Sequence, residues 1–460
     1  MKTFRILHTN DIHSRFENFA KAVTAIEELR TDHTLVLDAG DFNDFMRIEL
    51  QGTDGAAGLE LLELAGYDGI AIGNNETFNG AEILERMAIR SKVPFLSCNL
   101  MKKDDGPFPG VRSSVIVSRG KLRFLVIGTS PQMDAFYPLL GFQAIDYKAA
   151  IRQEMSRNSG GYDICILLSH LGLKEDRDIA ETMEGIDLII DGHTHLLMEE
   201  PLLINGTILH MSGCYGDHLG VLDCSFDDGI VEFKGENRKL EHYAPNEKIL
   251  ESLRNSKEKA IRNLSEPLFS IEEDLWHDVV EENPITNLLA DALRAEMGGE
   301  IGLINSGIIN SGVRKGKVSK KKLIEMCPSP LNPTSFYIQG KYIRQAFEAS
   351  IHTDVCMLDG KGAGFRGKYL GRLHISGGSV EYCNHKIVRI QIGEDELDDE
   401  RHYLVATSDY LHRGTGYESL KNNHDHTYHP DMVRDTIEKY LKKPNFRKRA
   451  REFRWKESSI

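Results

Sequence analysis

The stretch Phe4-Arg5-Ile6-Leu7-His8-Thr9-Asn10-Asp11-Ile12-His13 decides how this chain is read. A short apolar run passes directly into a polar turn bearing Asp and His. So short a run is a strand; it is too brief for a membrane span or a secretory core. The event then repeats. The run 34–37 leads into Asp38-Ala39-Gly40-Asp41, and 70–72 leads into Gly73-Asn74-Asn75-Glu76. Runs 164–168 and 188–190 end in Ser169-His170-Leu171-Gly172 and Gly192-His193-Thr194-His195. Between the runs the apolar spacing is helical, as at Phe19, Val23, Ile26 and Leu29, in 59–64 closed by Gly66, in 81–89 and in 174–183. That βαβ rhythm predicts an α/β domain of mostly buried strands.

The rhythm ends near residue 240. Residues 241–265 are charged and helical in pattern and read as a linker helix, with a second α+β domain over 266–460. Its elements are an amphipathic helix at 287–297, a strand at 301–304, a helix at 342–350 and strands at 387–392 and 403–407. No repeat or low-complexity tract interrupts either part.

Composition narrows the function. The 460 residues hold 56 Lys+Arg against 70 Asp+Glu, a net charge of −14. Such a surface repels phosphate backbones, so stable nucleic-acid binding is not expected, and a phosphate-bearing ligand needs local positive charge. Seven cysteines without CxxC spacing suit reduced thiols in the cytoplasm better than a disulfide framework. Cys214 reads as a buried, inert thiol on a strand. His424, His426 and His429 read as a solvated loop. The basic tail from Lys442 to Lys456 reads as a solvated helix end or a packing arm, and Lys317, Lys320, Lys321 and Lys322 are read likewise. Nothing here sets an oligomeric state.

Ligands of open α/β sheets bind outside the carboxyl ends of strands. Five strand ends therefore aim Asp, His and Asn into one crevice. Asp11, His13, Asp41, Asn74, His170, His193 and His195 supply enough donors for two divalent ions if one carboxylate bridges. Asp41 is the natural bridge, because Gly40 lets backbone approach. Mixed imidazole, carboxylate and amide donors suit Mn, Zn, Fe or Co and not Ca. A pair of such ions activates a bridging water, as hydroxide, for in-line attack at phosphorus.

The order D-x-H, G-D, G-N-N-E, S-H-x-G, G-H-T-H resembles the calcineurin-like metallophosphoesterases, and Leu7 to His13 with Gly192 to His195 resemble their 5′-nucleotidase family most closely. Glu282-Asn283-Pro284-Ile285-Thr286-Asn287, Asn305-Ser306-Gly307, Ser376-Gly377, the run 403–407 and Arg413-Gly414-Thr415-Gly416-Tyr417 extend the resemblance to that family's second, substrate-binding domain. The resemblance implies a four-layered sandwich followed by that α+β domain. It implies one metal held by Asp11, His13, Asp41 and His195, and another by Asp41, Asn74, His170 and His193. It also implies hydrolysis of a nucleotide or similar phosphate ester.

The departures are informative. Where the family reads G-N-H-E-[FL]-D, Asn75 replaces the His and Phe78 the Asp. Asn75 is left to position a phosphoryl oxygen, but it holds no proton to give a leaving group. The expected outcomes are a slow hydrolase, one favouring activated or cyclic esters (a cyclic nucleotide phosphodiesterase among them), or a metal-containing nucleotide binder. A cytoplasmic bacterial subgroup of the family also carries G-N-N-E. In the second domain, Asn310 stands where the family has Arg, leaving Arg314 to supply charge. Tyr417 takes one place of the family's aromatic base clamp and Arg372 the other. With Asn305 these form the expected substrate contacts.

Overall fold

Strands that are apolar up to their last residue must be covered on both faces, and Ile164–Ser169 and Leu188–Asp191 are buried throughout. The computed structural model, which describes residues 2–104, 106–227, 230–362 and 364–458, covers them by stacking two sheets. In the first, Lys2–Thr9 lies beside Thr34–Asp38, with Gly69–Ala71 and Phe95–Leu96 following in parallel. The strands His218–Asp227 and Ile230–Lys239 complete its other side in antiparallel pairing. In the second sheet, Ile164–Ser169 sits between Leu122–Thr129 and Leu188–Asp191, all parallel.

Alternation along each strand sorts side chains into layers. Phe4, Ile6, Leu35 and Leu37 meet Phe124, Val126, Ile166 and Leu168 between the sheets. Leu7 and Val36 face outward and are covered by Phe19, Val23 and Ile26 of the helix Phe16–Leu29. Behind the second sheet, Leu125, Leu167 and Ile189 are covered by Ile151 and Ile179 of the helices Tyr147–Arg157 and Leu173–Thr182. The result is a four-layered α-β-β-α sandwich. Register aligns the strand ends: Thr9 pairs with Asp38 and Asp38 with Ile70, while Ser169 pairs with both Thr129 and Asp191.

The chain divides into two compact units, Met1–Asn263 and Leu264–Ile460. The second is built on a five-stranded sheet in which Ile301–Asn305 lies between Leu373–Ser376 and His402–Ser408. The helix Pro284–Met297 packs Ile285, Leu288, Leu289 and Leu293 into its core, starting from an Asn283 cap and ending at Gly298 in the left-handed region. Among the described residues, no helix is long and apolar enough to cross a membrane.

Two expectations are corrected. His424 and His426 lie on an edge strand, Asn423–Tyr428, which pairs with Pro333–Gln339; the ladder, and not the polar composition, decides the conformation there. Of the two forms expected of the tail, it takes that of a packing arm. Arg454 is buried, donating to Asp291 Oδ2 at 2.7 Å, and Trp455–Glu457 adds a strand beside Gly378–Cys383. Cys214 sits in a half-buried bend after the strand Thr207–His210, against His195.

Candidate metal centre

The loops that follow the strands are laced together through their backbones. Asp11 N–H donates to Gly40 O at 2.9 Å, His13 N–H to Asp41 O at 2.8 Å, and Tyr215 N–H to Asp11 O at 2.7 Å. Asp11, His13, Asp41, His193 and His195 all have positive φ, from 45° to 73°. Each such residue costs on the order of 1–3 kcal/mol, and strain of this kind persists where surrounding structure enforces it, typically at functional sites. Two glycines permit the approach. A Cβ on Gly40 would lie 2.8 Å from His170 Nδ1, and one on Gly73 would lie 2.1 Å from Asp41 Oδ1.

The side chains of these loops converge. His195 Nε2 lies 3.2 Å from Asp11 Oδ1, and His13 Nε2 lies 3.7 Å from the same oxygen. The Asp41 carboxylate splits its oxygens: Oδ2 is 3.6 Å from His13 Nε2, and Oδ1 is 3.3 Å from His170 Nε2. Asp11, His13 and His195 form one group able to hold an ion, and Asp11, Asp41 and His170 another. His193 donates its N–H to Asp11 at 3.0 Å and sets its ring 5.2 Å from that of His170. Asn74 begins the short helix Asn74–Thr77, and its Oδ1 is buried without a hydrogen-bond partner. Asn75 Nδ2 donates to Asp41 Oδ2 at 2.6 Å.

The donor set fits cations. His170 Nδ1–H donates to Ala39 O at 2.6 Å, so that its buried Nε2, turned toward the Asp41 carboxylate at 3.3 Å, is the atom left to hold a proton or a cation. His13 and His195 bring Nε2 to within 3.1 Å of Nε2. Two nitrogens each about 2.0–2.1 Å from one ion, at tetrahedral or right angles, stand about 2.9–3.4 Å apart. The electrostatics agree. Burial disfavours an imidazolium at His170, yet the Asp41 and Asp11 carboxylates carry it up to about 10. Hydrogen bonds to Asp11 and Cys214 bring His195 up to about 10 as well. Burial opposes ionisation of Asp11, but His13 and His195 hold its carboxyl far below the usual range. His193 shifts the other way, lowered by burial and by His170. The field inside this crevice favours positive charge.

Several supporting residues have no sequence assignment above. Glu76 is fully buried and accepts from Asp41 N–H at 3.1 Å, Gly73 N–H at 3.0 Å and Asn43 N–H at 2.9 Å, tying two of the loops together. Its place in Gly73-Asn74-Asn75-Glu76 was the only signal. Asn10 orients Asp11 through Nδ2 at 2.9 Å and accepts from Ser212. Tyr215 packs its ring edge-on to His13 and His195.

In the second unit, Asn305 ends a central strand and donates to Leu370 O at 2.6 Å, with Oδ1 partnerless. Tyr417 is only 2% exposed and donates to Gly371 O at 2.7 Å. Arg372 lies 5.1 Å over the Trp455 ring. These three gather around residues 370–372. Arg314 is exposed and lines a cavity of about 520 Å³ beside Trp276.

A four-layered sandwich with acidic and imidazole ligands at its strand ends, joined to an α+β unit, defines a two-domain metallophosphoesterase. Residues 4–197 match the calcineurin-like phosphoesterase family, and residues 262–422 match the 5′-nucleotidase C-terminal domain. The chain belongs to the calcineurin-like metallophosphoesterases that carry this C-terminal domain, which are phosphoester hydrolases using divalent metals. It is 29% identical to an uncharacterized metallophosphoesterase of Bacillus subtilis, over 94% of this chain and 98% of that one. It is 30% identical to a 5′-nucleotidase of Diplobatis ommata, over 49% of this chain and 46% of the relative. Its fold is shared with NAD nucleotidase of Haemophilus influenzae, at a TM-score of 0.69 and 16% identity over the whole of both chains.

Proposed function

We propose that the chain hydrolyses the phosphate ester of a nucleotide or nucleotide-like substrate with two divalent ions of the Mn, Zn, Fe or Co class. The observation that carries this is the set of facing acceptors, with His13 and His195 at 3.1 Å and His170 Nε2 opposite Asp41 at 3.3 Å. Protons or cations must lie between them. His13, His195 and Asp11 would hold one ion, and His170, His193 and Asn74 the other, with Asp41 between. When bound, such a pair supplies Lewis acidity toward phosphoryl oxygen and lowers the pKa of water to about 7.

The remaining chemistry belongs to the chain. Its left-handed loops keep the ligands oriented before substrate arrives. Asn75, hydrogen-bonded to Asp41, presents an amide able to donate to a phosphoryl oxygen. It carries no dissociable proton, so esters with good leaving groups should turn over fastest, whereas poor ones suffer the roughly 10²–10⁴-fold loss of a missing general acid. The seven free cysteines fit a reducing cytoplasm. Metal analysis followed by a panel of nucleoside mono-, di- and cyclic phosphates tests the reading. Asp41→Ala should lose metal and turnover together; retained turnover would refute it. The second reading, a binder without turnover, is favoured by Asn75 and Phe78. Inertness toward the whole panel with bound metal and measurable nucleotide affinity would establish it.

A further inference from the structure

The cavity beside Trp276 is built from two segments of the second unit. Leu275 and Val313 exchange backbone hydrogen bonds of 2.8 Å in each direction. Gly312 makes the approach possible, since a Cβ there would lie 2.4 Å from Leu275 O and 2.9 Å from Trp276 Cα. Lys322 reaches over from the helix Lys320–Met326 and donates to Ser311 Oγ at 3.1 Å. The cavity they enclose has a volume of about 520 Å³, the size of a small-molecule site.

Its charge is unusual for this chain. Lys320 and Lys321, next door, are matched to Asp435, Glu438 and Glu325. Arg314, Lys315, Lys317 and Lys322 line the cavity and form no ion pair among the described residues. The one carboxylate lining it, Asp274, accepts from the Lys315 backbone at 2.7 Å. Four unmatched cations thus surround one concavity in a protein of net charge −14. Among them stands Trp276, 45% exposed. His277 Nε2–H donates to Ser306 O at 3.0 Å, leaving Nδ1 an acceptor.

We propose that this cavity holds a nucleotide bearing two or more phosphoryl groups, its base stacked on Trp276 and its phosphates on Arg314, Lys317 and Lys322. A monophosphate brings about two negative charges near neutral pH, fewer than the net +3 (4 − 1) that the four cations and Asp274 leave; a diphosphate or longer chain matches it. Bases stack on exposed indoles without regard to sequence. The alternative places for a base are taken by the protein itself, because Tyr417 is buried and Arg372 lies on Trp455. This deepens the phosphohydrolase reading by naming what the second unit holds, but its test needs no turnover.

The chain has two tryptophans, and the other, Trp455, is 8% exposed, so quenching by solution ligands reports on Trp276. ADP titrated into the full chain stripped of metal with EDTA should quench the emission saturably. Pyrophosphate should displace ADP, and adenosine alone should bind at least tenfold more weakly than ADP. Arg314→Glu and Lys322→Glu should each weaken ADP tenfold or more, with unchanged thermal unfolding. Trp276→Ala should abolish the quench and weaken calorimetric binding. Absence of a saturable quench at millimolar ADP, or indifference to both charge reversals, would overturn the proposal. So would displacement of ADP by a single-stranded oligonucleotide at concentrations below those at which ADP binds, which would make the cavity part of a nucleic-acid groove. Turnover without quenching defeats this proposal and spares the phosphohydrolase; quenching without turnover does the reverse.

Discussion

Replacing Glu76 with Gln removes a charge and almost no volume, and so isolates its hydrogen bonds. Oε2 serves both Asp41 N–H and Gly73 N–H, and Oε1 serves Asn43 N–H. The better orientation of the amide keeps its oxygen on the first pair and turns its NH₂ toward Asn43. One bond is then lost and two donors face each other in the interior, a cost of about 1–3 kcal/mol. The loosened segment carries Asp41, and loss of such supporting partners weakens metal binding by about 10–100-fold. Denaturant unfolding of the metal-free protein reads the first effect, and calorimetric titration with Mn²⁺ reads the second. Unchanged Mn²⁺ affinity alongside reduced stability would refute the idea that Glu76 positions Asp41.

Other perturbations test other parts of the structure. Gly73→Ala would set a methyl 2.1 Å from Asp41 Oδ1, so Mn²⁺ binding should fall beyond detection in calorimetry while the far-UV circular dichroism persists. The buried His8–His210 pair, with nitrogens 2.8 Å apart, is kept neutral, burial lowering His210 to about 4. The unfolded chain takes up protons below its histidine pKa and the folded one does not, so stability is lost as pH falls from about 6.5 toward 4. By pH 5 one such histidine costs about 2 kcal/mol, and His210→Asn should flatten the dependence of urea unfolding on pH by that amount. Arg454→Ala leaves the buried Asp291 carboxylate with Arg449 as its remaining cation, an expected loss of about 1.5–3 kcal/mol in thermal or urea unfolding. Asn75→His with Phe78→Asp should raise kcat for poor leaving groups and leave p-nitrophenyl esters nearly unchanged.

What was legible in the sequence is the part repeated often enough to form a pattern. Strand runs of fully apolar residues announced the sandwich, and ligand-type residues at five strand ends announced the crevice into which Asp11, Asp41 and His170 are folded. Glu76 stood in plain view in Gly73-Asn74-Asn75-Glu76, but an acceptor for three backbone donors looks like any surface Glu until the loops close around it. The left-handed φ values of His193 and His195 left no residue-type signature, since neither is Gly or Asn. Tyr417 carries no mark of burial in its glycine-rich surroundings; its hydroxyl bond to Gly371 spans 46 positions. The segment 423–428 is polar throughout, and only its partner strand makes it a strand. The buried Arg454 was hidden among solvated basic neighbours of the same type.

One consequence follows from the distance along the chain between Asp11 and His195, whose side chains meet at 3.2 Å. A ribosome makes the first loop early and the last only after Leu188–Asp191, with the strands His218–Asp227 and Ile230–Lys239 still to come. No partial product lacking His193 and His195 has a finished cage, and stray cations cannot be trapped in it at that stage. Loading is therefore a late event in biogenesis, dependent on the ion pool that the mature fold meets, and overexpression in media of different trace-metal content should yield equally folded protein with different occupants.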